Sequence, residues 1–475
     1  MSRLPEPAVP PDATPLSTRL RELAAADPDH PAVSDGDSTL TRAELDRHTN
    51  GLARAFAGRG VSRGDLVAIA LPNTVDHVAA SVAAWKLGAV PQPLSTRLPP
   101  AEREAILLVG KPALVLDEPL PSDDDRSPLP EVVGPSWKAP TSGGSTGRPK
   151  VIVSGQAACT EHVLARADGL RIDRADDGVF LATAPLHHNA PYMFSLMALL
   201  QGHHVVLMQR FDAARTLALV AEQRVTWLYL VPTMMGRILR LPDEAFPDEA
   251  WPDLTSLRTA LHVGAPCPPE VKRGFLARLP RPEVLVELYS GTESQASAMI
   301  DGRDWLAHPG SVGPVTRGHM SIRDDDGREV PTGTVGEIWM RPDGGPTYHY
   351  LGAEPREADG WESLGDMGSF DDDGYLYLAD RRADMVVVGG ANVYPAEVKA
   401  ALLTHPGVHD AVVVGRPDDD LGRVVHAVVQ GDPAIEGDLL EHLAQRLSRH
   451  KIPRSVAFVD HPLRDDAGKV RRGDL

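Results

Sequence analysis

The spacing of apolar and polar positions predicts alternating strands and helices over most of the chain. Residues 41–44, Thr-Arg-Ala-Glu, form a capping box that predicts the start of a helix. Continuous apolar runs such as 66–71 are typical of strands buried on both faces of a parallel sheet. Further strands are predicted at 113–116, 180–184, 205–208, 225–231, 259–263 and 284–289, and helices at 75–87, 102–108, 192–200, 213–223, 234–239 and 269–279.

Repeated strand–helix–strand spacing predicts an α/β fold with mostly parallel sheets covered by helices. In such folds ligands bind beyond the carboxyl ends of the strands. One stretch interrupts the alternation, because residues 117–140 are rich in Pro and Asp. We expect that stretch to be an exposed connection.

The pattern changes in the last third of the chain. Short alternating strands with Asp/Gly turns predict a small β-rich subdomain at about 320–380. After the charged segment 380–384 a shorter pattern begins, with strands at 411–414, 424–429 and 455–459 and a helix at 435–447. We therefore expect a large N-terminal core, residues 1–380, and a small C-terminal α+β domain, residues 381–475, with the boundary at 380–384.

Composition narrows the classes of function. The chain has 475 residues, of which 42% are hydrophobic and 24% charged, an ordinary balance for a globular protein of more than one domain. Its net charge of −18 argues against a general nucleic-acid binder and against adhesion to an anionic membrane. Two cysteines, Cys159 and Cys267, make neither a disulfide framework nor a zinc site. Because no apolar leader is present, we expect a soluble cytoplasmic protein.

A segment rich in glycine and hydroxyl residues ends in a Pro-Lys pair. Glycines let backbone N–H groups converge on an anion, while hydroxyls and Lys150 add donors and positive charge. The Walker register is absent, but a polyphosphate is the ligand that this segment favours, and a flexible linker is the alternative. The segment consists of Thr141, Ser142, Gly143, Gly144, Ser145, Thr146, Gly147, Arg148, Pro149 and Lys150.

Two adjacent histidines, His187 and His188, follow the strand predicted at 180–184. A metal pair is disfavoured, because neighbouring side chains rarely point the same way and no carboxylates are spaced to complete a site. A role in a substrate site and a structural role in the core remain the two alternatives for His188.

Five further polar stretches are each weak evidence for a functional site, but their order and spacing along the chain are informative. They are residues 185–190, 289–294, 361–368, 380–395 and 462–472. Together with the glycine-rich segment they resemble the adenylate-forming superfamily, which comprises acyl-CoA synthetases, luciferases and the adenylation domains of peptide synthetases. Residues 289–293, Tyr-Ser-Gly-Thr-Glu, resemble its Y-G-x-T-E segment, and Gly365-Asp366 resembles its ribose motif. The resemblance also implies that the C-terminal domain, residues 381–475, is mobile about a hinge at 380–384. The sequence departs from the family pattern at Ala383, the hinge position, at His187, and by one extra residue between 462 and 468.

The resemblance implies an ATP-dependent carboxylic acid ligase that forms an acyl-adenylate, releases pyrophosphate and passes the acyl group to a second nucleophile. Catalytic roles are implied for Lys469, His188, Thr292 and Glu293, with Glu293 also the ligand of Mg²⁺. ATP binding is implied for Thr141, Ser142, Gly143, Gly144, Ser145, Thr146, Gly147, Lys150, Gly264, Ala265, Pro266, Tyr289, Ser290, Gly291, Thr292, Asp366 and Arg381. The implied acyl pocket consists of His188, Asn189, Tyr192, Leu230, Val231, His262, Val263, Gly264 and Leu288, and the acceptor side of Gly389, Gly390 and Ala391.

Three hypotheses differ in what happens to the adenylate. CoA is the expected acceptor, because the small domain is complete and no carrier domain follows residue 475. An amine or the thiol of a free carrier protein is the alternative acceptor, and a nucleotide sensor without turnover is disfavoured by the presence of the implied catalytic residues. The acid is expected to be aryl, alicyclic or otherwise apolar. An α-amino acid is not expected, because residues 189–195 offer no carboxylate for an ammonium group.

Overall fold

The structure of the protein is a computed structural model that describes residues 6–143, 149–174, 177–242, 244, 251–381, 384–388, 391–418, 421–464 and 470. The N-terminal elements are α1 (Leu16–Ala26), β1 (Pro31–Ser34), β2 (Thr39–Thr41), α2 (Arg42–Ala57), β3 (Leu66–Ile69), α3 (Val75–Lys86), β4 (Val90–Pro93), α4 (Pro100–Gly110) and β5 (Leu114–Leu116). The predicted capping box is confirmed at α2, where Glu44 N–H donates to the Thr41 hydroxyl and Thr41 N–H donates to the Glu44 carboxylate.

The central part of the chain supplies most strands of the main sheet. Its elements are β6 (Thr141–Gly143), β7 (Pro149–Ser154), α5 (Thr160–Leu164), β8 (Val179–Ala182), α6 (Asn189–Gln201), β9 (His204–Leu207), α7 (Ala213–Glu222), β10 (Trp227–Leu230), α8 (Pro232–Leu239), β11 (Thr259–His262), α9 (Pro269–Leu276), β12 (Leu285–Ser290), β13 (Ser297–Asp301) and α10 (Gly302–Ala307).

A run of strands without intervening helices follows, as predicted for a β-rich region. These strands are β14 (Ser311–Gly313), β15 (Val315–Arg317), β16 (His319–Arg323), β17 (Gly336–Arg341), β18 (Tyr348–Leu351), β19 (Glu357–Ala358), β20 (Trp361–Phe370) and β21 (Leu376–Arg381). An antiparallel sheet orders five of them β14-β21-β20-β17-β16, with β19 beside β20. Strand β18 instead joins a small antiparallel sheet in the order β18-β7-β6.

The main sheet has nine strands in the order β15-β13-β12-β11-β10-β8-β9-β1-β2. Its six strands from β12 to β1 are mutually parallel, as predicted, and antiparallel strands extend both edges. A smaller parallel sheet has the order β4-β3-β5. Helix α3 contacts β3 and β4 of the small sheet and β1 of the main sheet, and all its residues but Asp76 are buried. It therefore forms a layer between the two sheets.

The connection at 117–140 carries no helix or strand, but it is exposed only in part. Residues 134–140 are buried, so the expectation of an exposed connection is wrong for this last part of it. The Ala139 N–H donates to β4, and the carbonyls of Lys138 and Pro140 accept from N–H groups of β7. These bonds tie the small parallel sheet to β7 and fix the chain that leads into the glycine-rich segment.

A smaller C-terminal domain completes the fold. Its elements are β22 (Val386–Val388), β23 (Ala391–Val393), α11 (Pro395–Leu403), β24 (Val408–Asp418), β25 (Gly422–Gly431), α12 (Glu436–Ala444) and β26 (Ser455–Val459). The strands form one sheet, β23-β22-β25-β24 with β26 parallel to β25, around a separate hydrophobic core. The hinge at 380–384 remains a prediction. Within the described ranges, no helix is both long and apolar enough to cross a membrane.

Candidate active site

The glycine-rich segment belongs to a β-hairpin. Strands β6 and β7 pair antiparallel, with Thr141 opposite Val151 and Ser142 opposite Lys150. Gly144, Ser145, Thr146 and Gly147, expected to bind phosphate, lie outside the described residues. The paired strands nonetheless bring the two ends of the segment together, so it connects neighbouring strands and is not a linker between domains.

Lys150, at the end of that segment, lies beside Glu293. Lys150 Nζ is 3.0 Å from Glu293 Oε1 and donates to the Tyr350 hydroxyl at 2.8 Å. The Tyr350 hydroxyl in turn donates to Glu293 Oε1 at 2.5 Å. Burial and the neighbouring Glu293 carboxylate raise the pKa of the Tyr350 phenol, so it remains a donor. Residues more than 140 positions apart in sequence thus form one charged cluster.

The carboxylate of Glu293 suits a Mg²⁺ ion that is shared with phosphate groups. Glu293 is only 5% exposed, and both side-chain bonds described for it reach Oε1. In the described ranges no three His, Cys, Asp or Glu residues converge to make an all-protein metal cage. A single carboxylate completed by phosphate oxygens and waters is how proteins commonly hold Mg²⁺ in nucleotide sites. The residues present therefore fit this ion.

A tight turn after β12 positions Glu293 and its neighbour Thr292. Gly291 allows close packing there, because a Cβ atom would lie 2.3 Å from Leu364 Cδ1 and 3.1 Å from Glu293 Oε2 and would displace these two side chains. Ser294 has a left-handed backbone with φ of 59°. Close packing and an unusual backbone angle in one short turn indicate that its side chains are held in place for binding.

Tyr289 and Asp366 form a second group of polar side chains in the site. The Tyr289 hydroxyl donates to Asp366 Oδ2 at 2.8 Å. The backbone of Asp366 pairs with that of Arg381 between β20 and β21, so the two predicted ribose-binding residues are neighbours in register. The preceding Ser290 donates its hydroxyl to the Ala296 carbonyl at 2.8 Å, which braces the end of β12.

The segment 264–266, whose backbone is expected to lie against the adenine, follows the carboxyl end of β11. Gly264 and Pro266 are exposed and Ala265 is half-buried, and Gly264 has a positive φ of 92°. Strands β11 and β12 are parallel neighbours, so this segment and the turn at 290–294 leave the same edge of the main sheet. That edge is where the fold is expected to bind ligands.

His188 and Asn189 lie at the start of α6, after the carboxyl end of β8. His188 is half-buried and its ring centroid lies 4.2 Å from that of His187. Asn189 Oδ1 accepts a hydrogen bond from Lys138 Nζ at 2.6 Å. Asn189 therefore borders the buried end, residues 134–140, of the 117–140 connection.

Other residues expected in the acyl pocket are enclosed by protein. The Tyr192 hydroxyl donates to Ser81 Oγ of α3 at 2.9 Å, with the residue only 1% exposed. His262 is fully buried, with Nε2 3.8 Å from a Glu287 carboxylate oxygen that also accepts from Lys272. Burial and the Lys272 ammonium hold the pKa of His262 well below its ordinary value. Leu230, Val231, Val263 and Leu288 are likewise buried.

A small cavity of about 10 Å³, room for about one water molecule, lies beside Thr292. Helices α5 and α6, strand β7 and the turn after β12 contribute its walls. The residues that line the cavity include Lys138, Arg166, Met193, Met197, Thr292 and Tyr348. Of these only Thr292 was predicted from the sequence. The available signal was Lys138 itself, a lysine between Trp137 and Ala139 just before the glycine-rich segment.

Lys138 and Arg166 make one wall of this cavity positive. Burial, and next the Arg166 guanidinium, lower the pKa of Lys138 to about 7, whereas the Glu293 carboxylate acts in the opposite direction. Burial is also the main cause that lowers the pKa of Arg166, to about 9. Such shifted groups in a cleft are typical of functional sites.

Lys469, Gly389, Gly390 and Ala383 lie outside the described residues. Ala391 is described in its backbone only, as the first residue of β23.

Comparisons with known proteins give the family. The model of the AMP-binding enzyme family matches residues 20–136 and 140–347, and that of the AMP-binding enzyme C-terminal domain matches residues 397–469. The chain is 33% identical to a 2-succinylbenzoate–CoA ligase of Bacillus licheniformis over 96% of this chain and 98% of that protein. It is 34% identical to a feruloyl-CoA synthase of Amycolatopsis over 95% of this chain and 96% of that protein.

Solved structures that are similar to this chain belong to enzymes of the same kind. The o-succinylbenzoate CoA synthetase of Bacillus subtilis, in complex with an acyl-adenylate intermediate, has a TM-score of 0.81, 26% identity and 97% coverage of both chains. The amide bond synthetase of Marinactinospora thermotolerans has a TM-score of 0.80, 25% identity and coverage of 97% of this chain and 98% of that one. The chain therefore belongs to the AMP-binding enzyme family and is an adenylate-forming ligase.

Proposed function

We propose that the protein is an ATP-dependent ligase that joins a carboxylic acid to CoA. A carboxylate oxygen attacks the α-phosphorus of ATP and pyrophosphate leaves, which gives an acyl-adenylate. The CoA thiolate then attacks the acyl carbon and AMP leaves with the bonding electron pair. The observation that carries this proposal is the Lys150–Glu293–Tyr350 cluster, which puts a phosphate-binding lysine in contact with a metal-binding carboxylate.

The first step is limited by charge repulsion and by positioning. The backbone and hydroxyls of 141–147, with Lys150, hold the β- and γ-phosphates and the departing pyrophosphate. Mg²⁺ held by Glu293 supplies charge neutralisation at the phosphates when it is bound. Thr292, next in the chain, donates to the α-phosphate. The Lys150–Glu293 contact supports this division, since it puts the two charged groups within reach of one polyphosphate.

The nucleoside half of ATP lies along the edge formed by β11, β12, β20 and β21. Asp366 accepts hydrogen bonds from the ribose hydroxyls and Arg381 donates to them. Tyr289, bonded to Asp366, presents its ring to the adenine, and 264–266 form the opposite wall. The Tyr289–Asp366 bond and the pairing of Asp366 with Arg381 support this arrangement.

The acid places its reacting carboxylate near His188 and the α-phosphate. The acid is aryl or alicyclic, and Met193 and Met197 of α6, whose side chains are flexible, can adapt to a ring. The two relatives named above act on acids with an aromatic ring, as 2-succinylbenzoate and ferulate have. These two substrates favour an aromatic ring in the acid that this ligase uses.

The second step depends on the C-terminal domain. Lys469 neutralises charge between the carboxylate and the α-phosphate during adenylation. After rotation about 380–384, residues Gly389, Gly390 and Ala391 border the channel for the CoA thiol. The size and separate core of this domain support a moving unit.

An amine is the second candidate acceptor. It is favoured by the match to an amide bond synthetase over nearly the whole chain. Both acceptors attack the same acyl carbon, so the first step is common to them. The choice of acceptor and the cytoplasmic location expected from the sequence stay predictions, which product analysis and cell fractionation test separately.

A mass-spectrometric screen tests the function. The purified protein is incubated with ATP, Mg²⁺ and a panel of aryl and alicyclic acids, with CoA in one arm and primary amines in the other. Acyl-CoA with AMP is the expected outcome, and amides without acyl-CoA would move the proposal to the second acceptor. AMP from no acid in either arm would instead favour a nucleotide sensor.

A further inference from the structure

One buried asparagine joins the segment that carries His188 to the loop after β3. Asn73 is 7% exposed. Its Nδ2 donates to the Ala184 carbonyl at 2.9 Å and to the Met208 carbonyl at 3.1 Å, and its Oδ1 accepts from the Leu186 N–H at 2.7 Å. Both N–H donors of the amide group and its oxygen are therefore engaged.

These three bonds reach the carboxyl edge of the main sheet. Ala184 follows β8 and Met208 follows β9, and these two strands are parallel neighbours. Asn73 instead follows β3, which belongs to the smaller parallel sheet. One side chain thus joins the carboxyl edges of two sheets, which is where α/β folds bind their ligands.

The bonds to Ala184 and Leu186 enclose Pro185, which has no N–H of its own. Asn73 satisfies the Ala184 carbonyl and the Leu186 N–H, and both of these residues are only 1% exposed. Without Asn73 these two groups would be buried and unpaired, which is costly. The His188 N–H donates to the Pro185 carbonyl at 3.1 Å, so the position of the His188 main chain depends on this turn.

The other end of the segment is held by the helix that follows Asn73 in the chain. The Tyr192 hydroxyl donates to Ser81 Oγ of α3 at 2.9 Å, and the Tyr192 N–H donates to the His188 carbonyl at 3.2 Å. His188 therefore lies between two anchors that come from the single stretch 73–81.

Asn73 can influence the site only through the chain that it holds. Its side chain is neutral and its three partners are main-chain groups, so its loss removes no charge from the site. Lys150 and Glu293 are held by other bonds, to each other and to Tyr350. Loss of Asn73 should therefore displace His188 and leave the phosphate-binding groups in place.

We propose that Asn73 is a positioning residue for the acid: it fixes His188 and thereby the place of the reacting carboxylate, while ATP binding does not depend on it. This inference rests on the proposed function, because it takes His188 as a residue of the acid site. A misplacement of reacting groups by about 1 Å can lower a rate by about 100-fold, so such an anchor affects catalysis without touching the substrate.

The test compares Asn73→Ala with Asn50→Ala, which alters a second buried asparagine. Asn50 of α2 is 3% exposed, accepts from Lys86 Nζ and donates to the Arg126 carbonyl. Because both variants lose the hydrogen bonds of a buried amide, both should lower Tm. AMP formation with aryl acids, ferulate and 2-succinylbenzoate among them, gives kcat/KM for the acid and the KM for ATP.

In Asn73→Ala, kcat/KM for the acid should fall by about 10–100-fold with an unchanged KM for ATP. Asn50→Ala should change neither. In a His188→Ala background, Asn73→Ala should cause no further fall, because the residue through which it acts is already absent. An equally large effect of Asn73→Ala without His188 would overturn the inference.

A spectroscopic measurement of the same variants needs no turnover. NMR of histidine-labelled protein follows the His188 ring signals, which His188→Ala assigns. These signals should shift in Asn73→Ala and stay unchanged in Asn50→Ala. Asn73→Asp has nearly the same shape and keeps the acceptor for the Leu186 N–H but loses at least one donor. It should change acid affinity and the His188 signals in the same direction, and it replaces the alanine variant if that variant does not fold.

Unchanged His188 signals, or a rise in the KM for ATP as large as that for the acid, would overturn the inference and leave Asn73 a general structural role. AMP formation with an unchanged kcat/KM for the acid in Asn73→Ala would also overturn it, while the proposed function would stand. Shifted His188 signals with no AMP from any acid in the wild type would instead remove the proposed function and keep Asn73 as the residue that positions His188.

Discussion

Replacing Glu293 by Gln removes one negative charge from the centre of the site and keeps its shape. The Gln carbonyl can still accept from Lys150 and Tyr350, but the ion pair with Lys150 becomes a bond with one charged partner and the Tyr350 bond becomes neutral. Weakening each bond in this way costs about 1 kcal/mol, so the folded state loses about 2 kcal/mol. The variant should therefore fold, with a modestly lower Tm.

The effect on catalysis should be much larger. A carboxamide is a poor ligand for Mg²⁺, and charge neutralisation by a bound metal contributes several kcal/mol to reactions at phosphorus. A loss of about 4 kcal/mol corresponds to about 1,000-fold in kcat/KM. The assay is acid-dependent pyrophosphate release measured across a Mg²⁺ titration. In Glu293→Gln the rate should fall by about that factor, and the Mg²⁺ concentration at half-maximal rate should rise.

Tyr350→Phe is the matched control for this prediction. It removes the hydroxyl that bridges Lys150 and Glu293 but keeps the carboxylate. Its rate should fall by no more than about 10-fold, the effect of one hydrogen bond, with the Mg²⁺ response unchanged. A Glu293→Gln enzyme with a near-normal rate and Mg²⁺ response would refute the metal-binding role.

Three further substitutions test other parts of the site. Asp366→Ala removes the partner of Tyr289 and the ribose acceptor, so the KM for ATP in the pyrophosphate assay should rise by about 10–100-fold, and an unchanged KM would exclude the ribose role. Lys469→Ala should lower acyl-adenylate formation, followed by mass spectrometry, by at least about 100-fold with an unchanged circular dichroism spectrum. Gly291→Ala places a methyl group against Leu364 and should lower unfolding stability by about 1–3 kcal/mol, measured by thermal denaturation; an unaltered Tm would mean that the turn relaxes freely.

Much of the fold could be predicted because it depends on local patterns. The capping box at Thr41 and the apolar runs of the main sheet specify their elements through neighbouring residues alone. Strand β4 was missed because Pro91 and Pro93 argue against a central strand. The two prolines are tolerated because β4 is an edge strand of its sheet, where one side needs no ladder hydrogen bonds.

The sequence indicated the part of the site that follows the parallel strands, since the segment after β11 and the turn after β12 leave the same carboxyl edge. Asp366 and Arg381 are brought together differently, by the antiparallel pairing of β20 with β21, and the Tyr289–Asp366 bond joins them to β12. Which face a side chain takes depends on tertiary packing. For this reason the sequence did not indicate that Tyr192 and His262 are enclosed.

Lys138 was missed for a related reason. A lysine in a stretch rich in Pro and Asp is usually exposed, so the composition of 117–140 favoured a surface connection. Its burial arises from backbone bonds to β4 and β7, which are remote in sequence. Polar residues buried by such long-range pairing leave little periodic signal along the chain.

Acid-dependent exchange of radiolabelled pyrophosphate into ATP tests the central claim most directly. It reports reversible adenylation alone and needs neither CoA nor an amine. With Mg²⁺ and a suitable acid, the account predicts exchange in the wild type and about 1,000-fold slower exchange in Glu293→Gln. Exchange that is independent of acid, or absent across the whole panel while the folded protein binds ATP, would contradict it.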